Sequence, residues 1–286
     1  MADIDLEKRF DIHEMAKNKM AEIERFECNI YCCHSTGCKS SGSDDILDLI
    51  KNIIAEKQIE DKIRVVATGC MGLCAQGPLI RVEIKGKKDA LFKRVDLKVT
   101  QAIMDKYVIP ALESKGDFSI PESLAQNVLS LELPFFTRQE KVVLKNAGHM
   151  DPEDIQEYMA RGGYLALEKA LKTMTPAQVV EEIKKSGLRG RGGGGFSTGM
   201  KWELAAKVPT IDEKFIICNG DEGDPGAYMD RSILEGDPHA VIEGMMIAAY
   251  AIGATEGWFY VRAEYPLAVE RLEKAIKACK KNRLLG

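Results

Sequence analysis

GLRGRGGGGFSTGMKW, residues 187–202, is the stretch on which the reading of the carboxyl half turns. A flexible linker is normally padded with serine and carries no large side chains. Here Arg189 and Arg191 stand in front, with Phe196, Lys201 and Trp202 behind. Cations, aromatics and glycine in one loop point to a bound ligand. Bare amides over 190–195, followed by the start of a helix at Thr198, make a phosphate site, because free N–H groups and the positive end of the helix both face the anion. Lys201 adds charge, and Phe196 offers a face on which a ring can stack. A mobile glycine hinge is the reading the loop leaves open when taken alone.

Working outward, Thr175-Pro176 gives a capping residue with proline at the first helical position, so a helix begins there and stops at Gly187. Residues 214–218 (KFIIC) predict a buried strand, 239–252 a helix, 258–261 a strand and 266–281 an amphipathic helix. This alternation is that of an open α/β sheet. Its last helix calls for a further parallel strand, so the expectation is an incomplete domain. The loop NGDEGDPGAY, 219–228, follows the first of these strands, at the carboxyl edge where such sheets bind ligands. Its carboxylates can accept hydrogen bonds from ribityl or ribose hydroxyls, and Asn219 can meet a flavin edge. It lacks the spacing and closing Glu of a calcium loop. A plain solvated acidic turn is the alternative.

The amino half has a different rhythm. Residues 4–26 predict an amphipathic helix with Leu6, Phe10, Met15, Met20 and Ile23 on its apolar side. A strand, CNIYCC, comes next, then a helix capped by Ser43-Asp44-Asp45 and a strand at 63–68. LIRVEI and ALFKRV form a hairpin, and a helix over 100–113 closes a small α/β unit. Residues 114–133 show no periodicity and are expected as a linker, and 152–185 as a helical stretch. The implied division is 1–26, an amino-terminal helix; 27–114, the small domain; 115–134, the linker; and 135–286, the ligand-binding domain.

Cysteines fall in the loops after the first two strands of the small domain. Cys33 and Cys38 are separated by four residues, Cys70 and Cys74 by three. One sheet edge can therefore gather four thiolates, which suits a [2Fe–2S] cluster or a structural zinc. Side chains alternate along a strand, so Cys32 points away from Cys33. His34 is expected to face solvent, and Cys28, Cys218 and Cys279 to be small buried residues.

The whole chain has 286 residues, 45% hydrophobic and 29% charged, with net charge −4. That balance fits a globular protein and speaks against nucleic-acid binding. The charged start MADIDLEKRF predicts no secretory signal, and the longest apolar run, 245–254, is too short to span a bilayer. The expectation is a cytoplasmic protein, where eight cysteines serve as ligands, redox groups or core residues.

Two long motifs carry a resemblance. SGLRGRGGGGFSTGMKW and CNGDEGDPGAYMDRSILEGDPH are similar to the two flavin loops of the family of NADH-binding, FMN-containing subunits of respiratory complex I, from about Phe135 onward. CCHSTGCKSSGS and GCMGLCAQGP resemble the thioredoxin-like [2Fe–2S] domain. Its fusion in front is similar to the beta subunits of NAD(P)-linked, often electron-bifurcating, hydrogenases and related formate dehydrogenases. The resemblance implies an α/β protein: a thioredoxin-like ferredoxin domain, a helical segment and an incomplete Rossmann-like FMN domain. It implies cluster ligation by Cys33, Cys38, Cys70 and Cys74. FMN falls to Gly190, Arg191, Gly192, Lys201, Asn219, Asp221 and Glu222. NAD(P)H falls to Phe196 and Asp224, the latter standing where many complex I members carry Glu.

The implied activity is that of an NAD(P)H dehydrogenase (diaphorase) component, passing electrons between NAD(P)H, FMN and iron–sulfur centres, with hydride transfer needing no side-chain acid or base. A flavin-free [2Fe–2S] electron-transfer or assembly subunit is the alternative, and a zinc-stabilised module a third. Implied partners are other subunits of a hydrogenase or formate dehydrogenase complex, including a small [2Fe–2S] subunit and a catalytic iron–sulfur subunit. The family's [4Fe–4S] region is expected only beyond Gly286.

Overall fold

The computed structural model describes residues 11–114, 116, 118–209 and 213–286. Leu6 and Phe10 of the expected first helix lie outside them; the described helix is α1, Ile12–Arg25, started by the Asp11 carboxylate accepting from Glu14 N–H. Lys85 of the small domain donates to the Glu24 carbonyl near the helix end, and the helix's apolar start lies elsewhere. Ile12 packs with Met150, Ile155, Met159, Ile242 and Ala275, and Lys19 pairs with Asp154 at 2.8 Å. Met20, expected on the apolar side, is exposed.

The small domain is a five-stranded mixed sheet: β1 (Cys28–Cys33), β2 (Ile63–Thr68), β3 (Ile80–Ile84), β4 (Ala90–Phe92) and β5 (Val128–Leu129), in the order β2-β1-β3-β4-β5. β1 runs parallel to β2, Cys33 opposite Thr68, and the other neighbours are antiparallel. A crossover helix, α3 (Ser43–Lys57), joins the parallel pair, and its Ile46, Leu47, Ile50, Ile53 and Ile54 are buried at helical spacing. Two expectations change. The cap of α3 is Gly42, left-handed at φ +92°, which frees Asp44 to hold His34. The segment read as a linker is only partly one: Leu124 is buried in the domain core and Val128–Leu129 add the edge strand.

Between β4 and β5 lie α4 (Leu97–Ile103) and α5 (Ile109–Glu113), and α6 (Pro134–Thr137) follows β5. The helical stretch resolves into α7 (Ile155–Ala160), α8 (Leu165–Thr173) and α9 (Pro176–Lys185). Thr175 caps α9 with a reciprocal bond from Gln178, as the Thr-Pro start implied. The remaining elements are α10 (Thr198–Lys207), β6 (Phe215–Gly220), α11 (Met229–Gly236), α12 (Pro238–Ile252), β7 (Glu256–Val261) and α13 (Pro266–Lys281). β6 and β7 pair in parallel, and α12 and α13 pack beside them. Phe215, Ile217, Trp258 and Tyr260 leave an exposed apolar face on this sheet, where parallel sheets are ordinarily covered.

Among the described residues no helix is long and apolar enough to cross a membrane.

Candidate functional site

The β1 alternation places the cysteines. Cys28, Ile30 and Cys32 point into the main core, whereas Tyr31 and Cys33 point to the other face. Cys33 therefore emerges at the end of β1, with Cys38 two residues into the short helix α2, Thr36–Lys39. The loop after the neighbouring parallel strand β2 brings up Cys70 and Cys74, whose sulfurs lie 3.7 Å apart. Cys33 is close enough to both Cys38 and Cys70 to perturb and be perturbed by them, so the four thiols lie near one another. Two loops from adjacent parallel strands thus converge at one sheet edge.

Glycines make room beside the sulfurs. A Cβ on Gly77 would come within 3.0 Å of Cys38 Sγ and 3.2 Å of the Cys74 carbonyl, and one on Gly37 within 4.0 Å of Cys74 Sγ. Amides reach inward too: Gly72 N–H donates to Cys70 Sγ at 3.3 Å, and Met71 N–H bonds to Cys33. The Cys33 thiol is pushed up to about 12, chiefly by its bond with Cys38 and then by burial, while the bonds from Cys70 and Met71 pull the other way. Cys70 rises through its bond with Cys33 and burial; Cys74 rises through burial and the nearness of Cys70, and Arg231 opposes it. Such thiols hold their protons until a metal displaces them.

Among the described residues no group of three or more His, Cys, Asp or Glu is placed to hold a metal ion. Four thiols with glycine space and amide donors beside them have the chemistry of a [2Fe–2S] donor set. Cys32 is fully buried in the core and turned away, as alternation required. His34 corrects an expectation. It does not face solvent: its side chain is 13% exposed, with Nε2 2.6 Å from Asp44 and Nδ1 3.3 Å from the Arg271 guanidinium. Cys28 and Cys279 are buried, and Cys218 is half-buried.

The glycine loop is built on another plan. Its neck is closed by Arg189 and Ser197, through Gly190 N–H donating to the Phe196 carbonyl at 2.8 Å and Thr198 N–H to the Leu188 carbonyl at 2.9 Å. Arg189 Nε donates to the Gly195 carbonyl across the neck. Gly193 is left-handed at φ +98°, and no atom lies within 4 Å of a Cβ built on Gly192, Gly193 or Gly194. The tip is open. Ser197 caps α10, accepting from Met200 N–H at 3.3 Å, so the loop runs directly into a helix amino terminus. Lys201, in the first turn of α10, is exposed, with no ion-pair partner for its side chain among the described residues. Lys207 is paired with Glu203 at 3.0 Å. Arg191 and Phe196 are exposed, Phe196 by 54%.

The acidic loop leaves the carboxyl end of β6. Asn219 is exposed, its Oδ1 accepting from Asp221 N–H at 3.1 Å, and Asp224 is exposed. Glu222 is engaged within the chain. Its carboxylate accepts from Asp230 N–H at 2.9 Å and Arg231 N–H at 3.1 Å, which caps α11, and from the Tyr265 hydroxyl at 3.1 Å. Its backbone is left-handed at φ +46°. Sequence reading did not anticipate α11, or the arginine and glutamate it carries. Its only sign was the spacing of Ile233 and Leu234 after an N-terminal Asp.

Two family models match parts of the chain. Residues 13–108 match the family model described as thioredoxin-like [2Fe-2S] ferredoxin, and residues 183–284 match the Nuo51 FMN-binding domain. NADP-reducing hydrogenase subunit HndC of Solidesulfovibrio fructosivorans is 55% identical over 149 residues, 52% of this chain and 30% of that protein. An NADH-quinone oxidoreductase subunit of Rhizobium meliloti (strain 1021) is 48% identical over 51% of this chain and 35% of its own length. The matched region thus spans about a third of these relatives. The crystal structure of a thioredoxin-like [2Fe-2S] ferredoxin from Aquifex aeolicus aligns with 37% of this chain and 98% of its own, at 18% identity and a TM-score of 0.30. At that distance no functional weight attaches to it.

Proposed function

We propose that this chain, which joins a thioredoxin-like [2Fe–2S] ferredoxin domain to a Nuo51 FMN-binding domain, is the NAD(P)H-oxidising flavoprotein part of a multisubunit hydrogenase or related dehydrogenase. The observation that carries the reading is the convergence of Cys33, Cys38, Cys70 and Cys74 from the loops after two adjacent parallel strands, in the same chain as an open glycine loop that ends in a capped helix. Bound flavin supplies the exchange between a two-electron hydride donor and one-electron carriers. The chain's own task is to hold, orient and charge-match the cofactors.

In this reading the amides of 190–195, with Arg191 and Lys201, hold the FMN phosphate. Asn219 and Asp221 face the flavin and its hydroxyls, and Phe196 and Asp224 face NAD(P)H. Glu222 acts through the loop, because its carboxylate is already bound by the α11 amides and Tyr265. Cys33, Cys38, Cys70 and Cys74 hold the [2Fe–2S] cluster. The small domain takes in residues 27–114 and the edge strand Val128–Leu129. Partner subunits, among them a small [2Fe–2S] protein and a hydrogenase or formate dehydrogenase catalytic subunit, would accept or deliver the electrons in the cytoplasm.

The test is anaerobic. The whole chain, supplied with FMN, should reduce an artificial dye at the expense of NADH or NADPH, and should do so far less without FMN. A cluster-bearing chain with no FMN-dependent dye reduction would instead support the flavin-free electron carrier.

A further inference from the structure

The two halves of the chain touch at the cysteine loops. A Cβ on Gly69, one residue before Cys70, would lie 2.5 Å from the Gly236 Cα, so the β2 loop and the end of α11 meet backbone to backbone. Beside this contact Glu235, fully buried, takes Thr36: its carboxylate accepts from Thr36 N–H at 3.1 Å and also from the Thr36 hydroxyl. Arg271 of α13, 1% exposed, donates to the His34 carbonyl at 3.2 Å and reaches His34 Nδ1 at 3.3 Å, and also donates to the Glu235 carbonyl. Its Nε lies 3.9 Å from Glu153. Residues 34 and 36, between Cys33 and Cys38, are therefore gripped by side chains that belong to the other half.

We infer that Glu235 and Arg271 are positioning residues for the Cys33–Cys38 loop, and that through them the flavin-side half sets the reduction potential of the cluster, Arg271 raising it and Glu235 lowering it. The inference rests on the [2Fe–2S] reading above. Reduction adds one electron, and so one negative charge, to the cluster. A buried cation beside the loop stabilises that added charge, and a buried anion opposes it, both weakly screened where water is excluded. Arg231 of α11 contributes in the same sense as Arg271. It stacks 4.1 Å from the Tyr228 ring centroid at the end of the acidic loop and lies 3.9 Å from Glu235. One short helix thus meets both cysteine loops, Glu235 at Thr36 and Gly236 at Gly69.

The test is a redox titration of the whole chain with dithionite, followed by the EPR signal of the reduced cluster, with iron measured per chain. Arg271→Gln should lower the midpoint potential and Glu235→Gln should raise it. Arg271→Lys, which keeps the charge but not the forked donors, should bring the potential back toward wild type. A loosened loop alone would move both neutral variants in one direction. Equal-sign shifts, or none, with iron retained, would overturn the inference. If Arg271→Gln does not fold, Arg231→Gln, on a side chain 17% exposed, carries the same expectation of a lowered potential. A wild-type chain without iron and sulfide would overturn the cluster reading itself, and this inference with it.

Discussion

The cysteine loops and the glycine loop, which the proposal assigns to a cluster and a phosphate, are held in opposite ways. The cysteine loops belong to two strands and are locked from outside, by Glu235 on Thr36, Arg271 on His34 and the Gly69–Gly236 contact. The glycine loop is one continuous segment, tied at its neck and open at its tip. The chemistry explains the difference. Four thiolates from separate loops repel one another unless the fold gathers them, and their cluster must keep a set geometry. A phosphate is held by successive amides of one loop, which can close as the anion arrives. The first site is paid for in tertiary packing, the second in local sequence.

The largest expected effect tests the locked site. Cys33→Ala or Cys70→Ala should abolish the reduced-state EPR signal of the anaerobic protein. Cys32→Ala, one residue away but turned into the core, should keep the signal and cost about 1–2 kcal/mol in denaturant unfolding through the lost packing. Loss of the signal in Cys32→Ala would break the assignment of faces on β1.

Next comes the seam. Gly69→Ala places a methyl against backbone that cannot move aside, and should cost about 2–3 kcal/mol. Gly193→Ala meets open space and only the left-handed φ of +98°, at about 1 kcal/mol. Thermal unfolding of the pair separates a site built on packing from one built on loop conformation. Equal costs would contradict the contrast.

The open loop is probed by charge. Lys201→Ala removes a charge-assisted contact contributing about 1.5–3 kcal/mol, so FMN should bind roughly ten- to a hundredfold more weakly. Lys207→Ala, already paired with Glu203, should change FMN affinity little. Fluorescence quenching titrations measure both, and matched losses would move the phosphate away from the start of α10.

A smaller effect separates the halves by pH. His239 is fully buried among Tyr158, Tyr164 and Cys279, and burial lowers its pKa from 6.5 to about 4. Its folded value lies below the unfolded one, so the unfolded chain binds more protons between those values. Stability present above pH 6.5 is lost as pH falls toward 4, by up to about 2 kcal/mol at pH 5. Both tryptophans, Trp202 and Trp258, lie in that half, so their fluorescence follows it. His239→Gln should flatten the slope; an unchanged slope would place the acid sensitivity elsewhere.

Much of this was legible in residues alone. The two cysteine spacings and the β1 alternation separated Cys33 from Cys32, because side-chain period on a strand is local. Helix α9 was legible through Thr175-Pro176, and the glycine loop through its run into α10. What escaped was non-local. The contacts of Glu235 with Thr36 and of Arg271 with His34 join residues about two hundred positions apart, and no periodicity signals them. Leu124 and Val128 lie in a segment without pattern, yet complete the first core because β4 needs an edge partner. His34 looked solvent-facing until α13 covered it, and the α11 amides and Tyr265 hydroxyl that Glu222 accepts from were equally hidden from the sequence.

The most direct measurement is elemental and cofactor analysis of the whole chain, purified anaerobically and equilibrated with FMN. The account predicts two irons and two acid-labile sulfides per chain together with one retained flavin. Stoichiometric zinc without sulfide, or no flavin retained, would contradict it.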